Sequence, residues 1–293
     1  MTWHRELLMA FDCESTGVDV ESDRIVTASV VTVAPGESPV ILSVVIDPGV
    51  DVPAEAVAVH GWSTERLRAE GQPPAGQLQR VANTLAAGLV EGFPIVIANA
   101  PYDLTLLDRE LRRHNLPTLA ERLDGRPIGP VIDPMCIDKA LDRYRPGKRK
   151  LTDLCATYGA RITDAHDCTA DALAAARVAY RIGQRAQQAL ADPLAVVDMY
   201  SDRRYPDRIV RGFQEFAKLT LAEVHAAQVG WYAGQAAGLA DYWRREASQL
   251  ESEARRALDD AERVTKLSDA EELRQRADGV STSWPIRPLG GAV

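Results

Sequence analysis

Two acidic residues near the N-terminus, Asp12 and Glu14, have the spacing that metal ligands on a β-strand would have. They follow the apolar run 7–10, which predicts the first half of a buried strand, and residues two apart on a strand point to the same face. Two carboxylates that close repel each other in a protein interior unless a positive charge lies between them. Because hard divalent cations prefer carboxylate oxygens, the pair predicts a metal site. Two solvated acids at a strand end would give the same pattern.

Two further acids, Asp103 and Asp171, lie in the first turns of predicted helices. Helix N-termini favour carboxylates, so each of them alone has a simple structural explanation. His166 changes that balance, because it lies five residues before Asp171 on the loop that leads into the helix. A histidine with an ordinary pKa of about 6.5 is suited to accept a proton from water at neutral pH.

The elements that would position these side chains can be traced from the apolar pattern. Runs rich in β-branched residues at 24–33 and 39–46 predict two strands antiparallel to the first. Short apolar runs at 94–98 and 130–133 are typical of buried parallel strands. Helical spacing is found at 77–89, 99–114, 135–141, 151–158 and 167–191. This order of elements predicts an α/β fold, with a mixed sheet flanked by helices on both faces.

The C-terminal third contains no convincing strand, and Asp192-Pro193 marks a predicted boundary between domains 1–192 and 193–293. We expect an all-helical C-terminal extension that ends in a loosely ordered tail. Glycines at 230, 234 and 238 would either allow close helix packing or weaken the helix. Small and apolar residues between 240 and 277 form a narrow stripe suited to one partner helix, or to a helical hairpin within the chain.

The overall composition is that of a soluble globular protein, with 46% hydrophobic and 26% charged residues in 293. No apolar run is long enough to span a membrane, which takes roughly 20 residues, and the N-terminus does not resemble a secretory signal, so we expect a cytoplasmic protein. The net charge of −8 argues against a broad grip on duplex nucleic acid. A local site that binds phosphate through a metal remains compatible with it.

Three segments together resemble the motifs of a known family: Phe11-Asp12-Cys13-Glu14-Ser15-Thr16-Gly17, Asn99-Ala100-Pro101-Tyr102-Asp103 and His166-Asp167-Cys168-Thr169-Ala170-Asp171-Ala172. In order and spacing they are similar to those of the DEDDh 3′–5′ exonucleases, which share a ribonuclease H-like fold. That group includes the epsilon proofreading subunit of bacterial DNA polymerase III, ribonuclease T and oligoribonuclease. The resemblance covers about residues 5–190.

The resemblance implies a two-metal site for phosphodiester hydrolysis. Asp12, Glu14, Asp103 and Asp171 would hold two Mg²⁺ or Mn²⁺ ions, with Asp12 bridging both. His166 would be the general base that deprotonates the attacking water. The implied activity is 3′–5′ exonucleolytic release of nucleoside 5′-monophosphates from single-stranded or frayed ends, with DNA favoured over RNA.

The resemblance also implies substrate contacts around the metal site. Thr16 and Gly17 would lie against the terminal nucleotide, and His60 would pack on its base or sugar. Asn99 and Tyr102 belong to the second motif, where Tyr102 replaces the usual Phe and Ala98 replaces a frequent His. Independently, the basic loop 143–150 is a candidate for contacting the phosphates of the incoming strand.

A second hypothesis treats the chain as an adaptor or scaffold of a polymerase or repair complex. In it the C-terminal helices would bind a partner protein or a second copy of the chain. The four acids speak against a pure binding role, because a binder has no need to hold repelling carboxylates together. The expected partners of the enzyme itself are the 3′ ends of single-stranded DNA or RNA.

Overall fold

A computed structural model describes residues 3–163 and 166–289 of the chain. Five strands form one sheet in the order β3-β2-β1-β4-β5. Their bounds are β1 (Leu8–Ser15), β2 (Ile25–Val33), β3 (Val40–Val45), β4 (Ile95–Val96) and β5 (Val131–Ile132). β1 to β3 are antiparallel neighbours, whereas β4 and β5 run parallel to β1. The predicted mixed sheet is confirmed, and β1 is its central strand.

Twelve α-helices accompany the sheet in the part of the chain that the structure describes. They are α1 (Ala54–His60), α2 (Thr64–Glu70), α3 (Pro74–Val90), α4 (Ala100–Arg113), α5 (Leu119–Arg122), α6 (Pro134–Leu141), α7 (Leu151–Tyr158), α8 (Cys168–Ala191), α9 (Pro193–Met199), α10 (Pro206–Phe216), α11 (Leu221–Ala254) and α12 (Asp260–Asp278). None of these helices is long and apolar enough to cross a membrane.

The core is built around β1 and the alanine-rich helix α8, which packs on β1 and β2. The first half of β1 is a continuous apolar run because both of its faces are covered; Leu8 to Phe11 are all at most 2% exposed. Ala172 and Ala179 on α8 are fully buried, and their small side chains let the helix approach the sheet closely. Asp12 and Glu14 follow in β1 where the strand leaves the core, and the packing of the buried half fixes their position.

The chain divides into two compact units, residues Met1–Gln228 and Val229–Val293. This division differs from the predicted boundary near residue 192, because α9 and α10 belong to the first unit. α10 packs on α8, and its Phe213 and Phe216 are at most 2% exposed. Asp192-Pro193 does end α8, since proline cannot continue a helix, but the apolar face of α10 returns the chain to the same core.

The second unit is a helical hairpin. α11 ends at Ala254 and α12 begins at Asp260, so the segment 240–277 is two helices rather than one. Ion pairs join Arg244 to Asp278, Arg274 to Glu251 and Lys266 to Glu253, and their order along the chain shows that the two helices are antiparallel. Of the two arrangements considered for the stripe, the hairpin is the one observed.

Two further features of this region can be compared with the sequence. A Cβ atom added at Gly230, Gly234 or Gly238 would meet nothing within 4 Å, so of the two roles considered for these glycines the close packing contact is not found. Trp284 is only 7% exposed, and the tail as far as residue 289 is therefore anchored by at least one buried ring rather than loosely ordered.

Candidate active site

The second half of β1 brings two carboxylates to the surface. Asp12 and Glu14 are partly exposed, unlike the buried residues before them. Asp12 lies opposite Ser29 of β2, and the register between the two strands shifts directly after Glu14. The strand therefore presents Asp12 and Glu14 to the same face and then leaves the regular sheet.

The N-terminus of α8 places a third acid and a histidine beside Glu14. One ligand atom from each of Glu14, His166 and Asp171 lies within 4.8 Å of the others. His166 is exposed, has a left-handed backbone (φ 70°), and its amide donates a hydrogen bond of 3.2 Å to Asp171 Oδ2. The first turn of α8 is fixed to the sheet, since Thr169 Oγ1 lies 2.7 Å from Ser29 Oγ. These three predicted site residues are thus brought together.

Asp103 approaches from the first turn of α4 and is held against β1. Its Oδ1 accepts hydrogen bonds from the amide (3.1 Å) and the thiol (3.2 Å) of Cys13, and the residue is only 4% exposed. Asp103 is not part of the compact group formed by Glu14, His166 and Asp171. It is more deeply buried than they are, and its charge acts on Asp12.

Burial raises the pKa of all four carboxyl groups, and for Asp12 and Glu14 the charges of neighbouring acids raise it further. Burial, followed by the charges of Asp103, Asp171 and Glu14, raises the pKa of Asp12 well above its ordinary value. Burial and then Asp171 raise the pKa of Glu14 to about 8. Burial raises the pKa of Asp103 to about 7 against the opposing effect of the Cys13 hydrogen bonds. Burial also raises the pKa of Asp171, which the amide of His166 partly offsets.

His166 is the basic residue beside the carboxylates, and its charge lowers the pKa of Asp171. Among the described residues, no Lys or Arg lowers the pKa of any of them, and no arginine or lysine forms an ion pair with them. Asp171 Oδ1 is buried and has no hydrogen-bond partner. Carboxylate oxygens beside one imidazole are a donor set that fits a hard divalent cation. The residues present therefore fit a divalent metal.

A fifth buried acid, Asp133, fixes the turn before Asp103 and was not singled out from the sequence. Its carboxylate accepts hydrogen bonds from the amides of Asn99 (3.2 Å) and Ala100 (3.1 Å), which open α4, and also from the amides of Met135 and Cys136. Asn99 has a left-handed backbone (φ 70°) and makes no side-chain cap. Asn99 occupies the N-cap position of α4, but its side chain does not cap the helix, because the carboxylate of Asp133 from the adjacent strand end binds the amides there instead.

The residues after Glu14 form a fixed rim next to the carboxylates. The Tyr102 hydroxyl donates a hydrogen bond of 2.6 Å to the carbonyl of Gly17 and lies 2.5 Å from Ser15 Oγ. His60 Nδ1 accepts from the Trp62 amide, so its Nε2 carries the proton and donates to the carbonyl of Ser15 at 3.1 Å. Burial lowers the pKa of His60. The predicted residues His60 and Tyr102 thus lie on the end of β1.

Thr16 and Gly17 serve the internal structure of this rim. The Thr16 hydroxyl donates to Asp23 Oδ1 (2.6 Å) and accepts from the Arg24 amide (3.0 Å), and the residue is 4% exposed. A Cβ atom at Gly17 would lie 2.5 Å from Asp23 Oδ2. A larger residue at position 17 would therefore have to displace the Asp23 carboxylate from its hydrogen bond with Thr16.

The basic loop 143–150 is corrected in part. Arg145 and Arg149 both bind Asp138, which is fully buried and also accepts a hydrogen bond of 3.0 Å from the Tyr158 hydroxyl. Arg149 donates a second bond of 2.5 Å to the carbonyl of Asp142. These two guanidinium groups hold the loop onto α6, so they are not free to contact phosphates as the sequence had suggested.

Comparison with known proteins adds a family and a fold. A sequence-family model described as an exonuclease matches residues 9–179, more than half of the chain, and that range contains all five predicted catalytic residues. No curated protein matches the sequence significantly.

Solved structures of exonuclease I have a similar fold. The Escherichia coli enzyme in complex with a dT13 oligonucleotide has a TM-score of 0.52 at 17% identity, over 67% of this chain and 46% of that one. The moderately thermophilic enzyme from Methylocaldum szegediense gives 0.51 at 20% identity, over 67% and 45%. A zinc-bound E. coli exonuclease I–single-stranded DNA complex gives 0.52 at 16% identity, over 66% and 43%. The predicted ribonuclease H-like fold is confirmed, and the chain spans less than half the length of these proteins.

Proposed function

Because the chain belongs to the exonuclease family, as the three motifs predicted, we propose that it removes nucleotides from the 3′ ends of single-stranded or frayed DNA. One observation carries the proposal: Asp12, Glu14, Asp103 and Asp171 come from three separate elements, the charges of the other three raise the pKa of Asp12, and no Lys or Arg in the described part of the chain pairs with any of them. A structural role gives no reason to group four acids without a lysine or an arginine. A site that holds divalent cations does require them.

The four acids would hold two Mg²⁺ or Mn²⁺ ions, which when bound supply Lewis acidity to the scissile phosphodiester and its leaving oxygen. His166 accepts the proton of the attacking water, being exposed and beside Glu14 and Asp171. The water oxygen forms a bond to the terminal phosphorus, and the bond to the 3′ oxygen of the preceding nucleotide breaks. That oxygen takes up a proton from solvent, and the product is a nucleoside 5′-monophosphate.

The rim at the end of β1 positions the terminal nucleotide. Tyr102, His60 and the Gly17 carbonyl are fixed by the hydrogen bonds described above, so this edge is preorganised. The preference for DNA is supported by the dT13 oligonucleotide bound to E. coli exonuclease I, which shares the fold.

The proposal is tested with three 5′-labelled substrates of matched sequence: single-stranded DNA, single-stranded RNA and duplex DNA with a 3′ mismatch. We expect a ladder shortened from the 3′ end, fastest on single-stranded DNA, abolished by EDTA and restored by Mg²⁺ or Mn²⁺. Asp51→Asn is a matched control, since Asp51 is exposed and pairs only with Arg68 on the surface. A wild-type protein that shortens none of the three substrates would refute the proposal.

The role of His166 has two alternatives, because its ring is close enough to the carboxylates to be a metal ligand as well as a base. As a base, His166→Ala lowers kcat by about 10²- to 10⁴-fold and leaves Mn²⁺ affinity unchanged. As a ligand, the same variant weakens Mn²⁺ binding in a calorimetric titration. We propose the first outcome, since His166 is exposed and its ring can be reached by a water molecule.

A further inference from the structure

A group of arginine and tyrosine side chains lies at the end of α6 that is remote from Asp133. Residues 140–144 and 203–209 line a common groove there. We call the five members Arg143, Tyr144, Arg204, Tyr205 and Arg208 the Arg–Tyr surface. All five belong to the first unit of the chain.

The two tyrosine rings lie together with cations against them. Tyr144 and Tyr205 are 55% and 41% exposed, and their ring centroids are 5.7 Å apart at an interplanar angle of 63°. The guanidinium carbons of Arg143 and Arg208 both lie 5.8 Å from the Tyr144 centroid, and that of Arg204 lies 5.1 Å from the Tyr205 centroid. Exposed rings with such neighbours are held in place and still offer a surface for stacking.

The arginines of this surface keep their charge unpaired. Within the described ranges, Arg143, Arg204 and Arg208 form no ion pair with a carboxylate, whereas the adjacent Arg203 binds both Asp142 and Asp202. Asp207 is exposed on the same helix as Arg208 and is the acid nearest in sequence. Three unpaired cations at one place are notable in a chain whose net charge is −8.

Unpaired arginines that alternate with exposed aromatic rings suit a single-stranded nucleic acid. The guanidinium groups would neutralise phosphates, and unstacked bases would lie on the tyrosine rings. An acidic protein segment would use the arginines but would have no need for two exposed rings. Duplex DNA hides its base faces, so the rings would have nothing to stack on.

The location also fits the path of a substrate. α6 begins at Asp133, whose carboxylate holds the turn that carries Asp103, and it ends beside the Arg–Tyr surface. Its eight residues span about 12 Å, which is several nucleotides rather than one. The surface is therefore too far from the carboxylates to hold the terminal nucleotide.

We propose that the Arg–Tyr surface binds the single strand upstream of the 3′ end while that end occupies the carboxylate site. This inference rests on the proposed function for its location of the 3′ end. It keeps Arg143 and Tyr144 of the basic loop and adds Arg204, Tyr205 and Arg208 from a later part of the chain. It assigns a second nucleic-acid site to the first unit of the chain.

The test measures binding of fluorescent single-stranded DNA of about 16 nucleotides in EDTA, so that hydrolysis is not needed. The triple variant Arg143→Gln/Arg204→Gln/Arg208→Gln should bind at least about 10-fold more weakly at low salt. Its plot of log affinity against log salt concentration should have a slope that is shallower by about 2, because each of the three lost phosphate contacts contributes about 0.7. A matched triple of exposed arginines on α3, on α8 and directly after α11, Arg80→Gln/Arg181→Gln/Arg255→Gln, should change neither value by as much.

A second variant separates stacking from charge. Tyr144→Leu/Tyr205→Leu should weaken binding by about 10-fold or more and leave the salt slope unchanged, because no phosphate contact is lost. Both effects should shrink with a dinucleotide, which is too short to occupy the carboxylate site and the Arg–Tyr surface together. Far-ultraviolet circular dichroism checks that each variant is folded.

Three results would overturn the inference. The first is a triple variant with wild-type affinity and salt slope. The second is an equal loss in the control triple. The third is a surface that binds a poly-glutamate peptide through its arginines while affinity for the single strand is unaffected, which would indicate an acidic protein partner. If the wild type binds DNA through this surface and cleaves none, the proposed function fails and the surface remains.

Discussion

Two groups of acids in the first unit differ in what compensates their charge. At the carboxylate site, Asp12, Glu14, Asp103 and Asp171 have no cationic partner from the described Lys and Arg residues. On α6, Asp138 is fully buried, and it is bound by the guanidinium groups of two arginines and by a tyrosine hydroxyl.

The difference separates a functional acid cluster from a structural one. A buried carboxylate that the protein itself neutralises contributes to the folded state, and removing it leaves two buried cations. A cluster that is left uncompensated stores repulsion, which a bound cation would relieve. Replacing an acid should therefore have opposite effects on stability in the two places, and the predictions below test that contrast.

The largest effect should follow from Asp12→Asn. We expect a loss of exonuclease activity of about 10³-fold or more, because Asp12 feels the charges of the other three acids and would hold the metal ions together with them. The metal-free variant should unfold at a higher temperature than the metal-free wild type, since one repelling charge is gone. Rates on labelled single-stranded DNA and thermal unfolding in EDTA measure the two effects. A variant that is inactive and also destabilised in EDTA would contradict the contrast.

The next effect is a loss of stability in Asp138→Asn. Arg145 and Arg149 would be left in the interior without a counter-charge, and we expect the free energy of unfolding to fall by about 3 to 5 kcal/mol. Urea denaturation measures this value, with Asp51→Asn as an exposed control. Below the unfolding transition the variant should keep measurable nuclease activity. An unchanged unfolding midpoint would show that the Asp138 cluster does not stabilise the fold.

A third effect concerns pH and metal. Glu14 and Asp103 have pKa values raised to about 8 and about 7, so the folded state binds more protons than the unfolded state between about pH 4.5 and pH 8. The contribution of these two groups to the stability of the metal-free protein is therefore most favourable at the acidic end of that range, and it falls as the pH rises. We expect the melting temperature in EDTA to fall by about 5 °C across the range, and Mn²⁺ at pH 8 to restore it. If the melting temperature in EDTA instead rose between about pH 4.5 and pH 8, in the wild type and in Asp138→Asn alike, the carboxylate site would not be one whose negative charges lack compensation.

The smallest effect should come from Asp133, whose charge is compensated in a third way, by four backbone amides. Asp133→Asn would place an amide group against some of those donors, and we expect a loss of about 1 to 3 kcal/mol in stability. The turn at Asn99 would be held less firmly, so kcat should fall more than KM changes. Asp133→Glu, which keeps the charge and lengthens the side chain, should lose less stability than Asp133→Asn.

The sequence was sufficient for features that depend on local pattern. Asp12 and Glu14 were recognisable because they continue an apolar strand, and Asp103 and Asp171 because each follows a helix start. β4 and β5 were recognised as buried parallel strands from their short apolar runs. In each case the periodicity of one element determines which way the side chain points.

The remaining features depend on contacts between distant parts of the chain. Asp133 caps a helix that begins 33 residues earlier, and no local signal marks such a cap. Arg145 and Arg149 read as a basic loop because their partner Asp138 lies on the preceding helix and is buried there. At position 17, the space that a side chain would need is occupied by the Asp23 carboxylate. Tertiary contacts, rather than the local structural propensities of the sequence, determine all three features.

The side chain of Gln228 has a practical consequence for anyone who shortens this protein. Its amide oxygen accepts a hydrogen bond of 2.7 Å from the backbone of Asp133, and its nitrogen donates one of 2.9 Å to the carbonyl of Val131, so the start of α11 closes the end of β5. A fragment cut at residue 192 would expose both backbone groups and the apolar face that α10 covers. The shortest fragment expected to keep the active site intact therefore ends after Gln228, thirty-six residues beyond the proline-marked break that the sequence suggests.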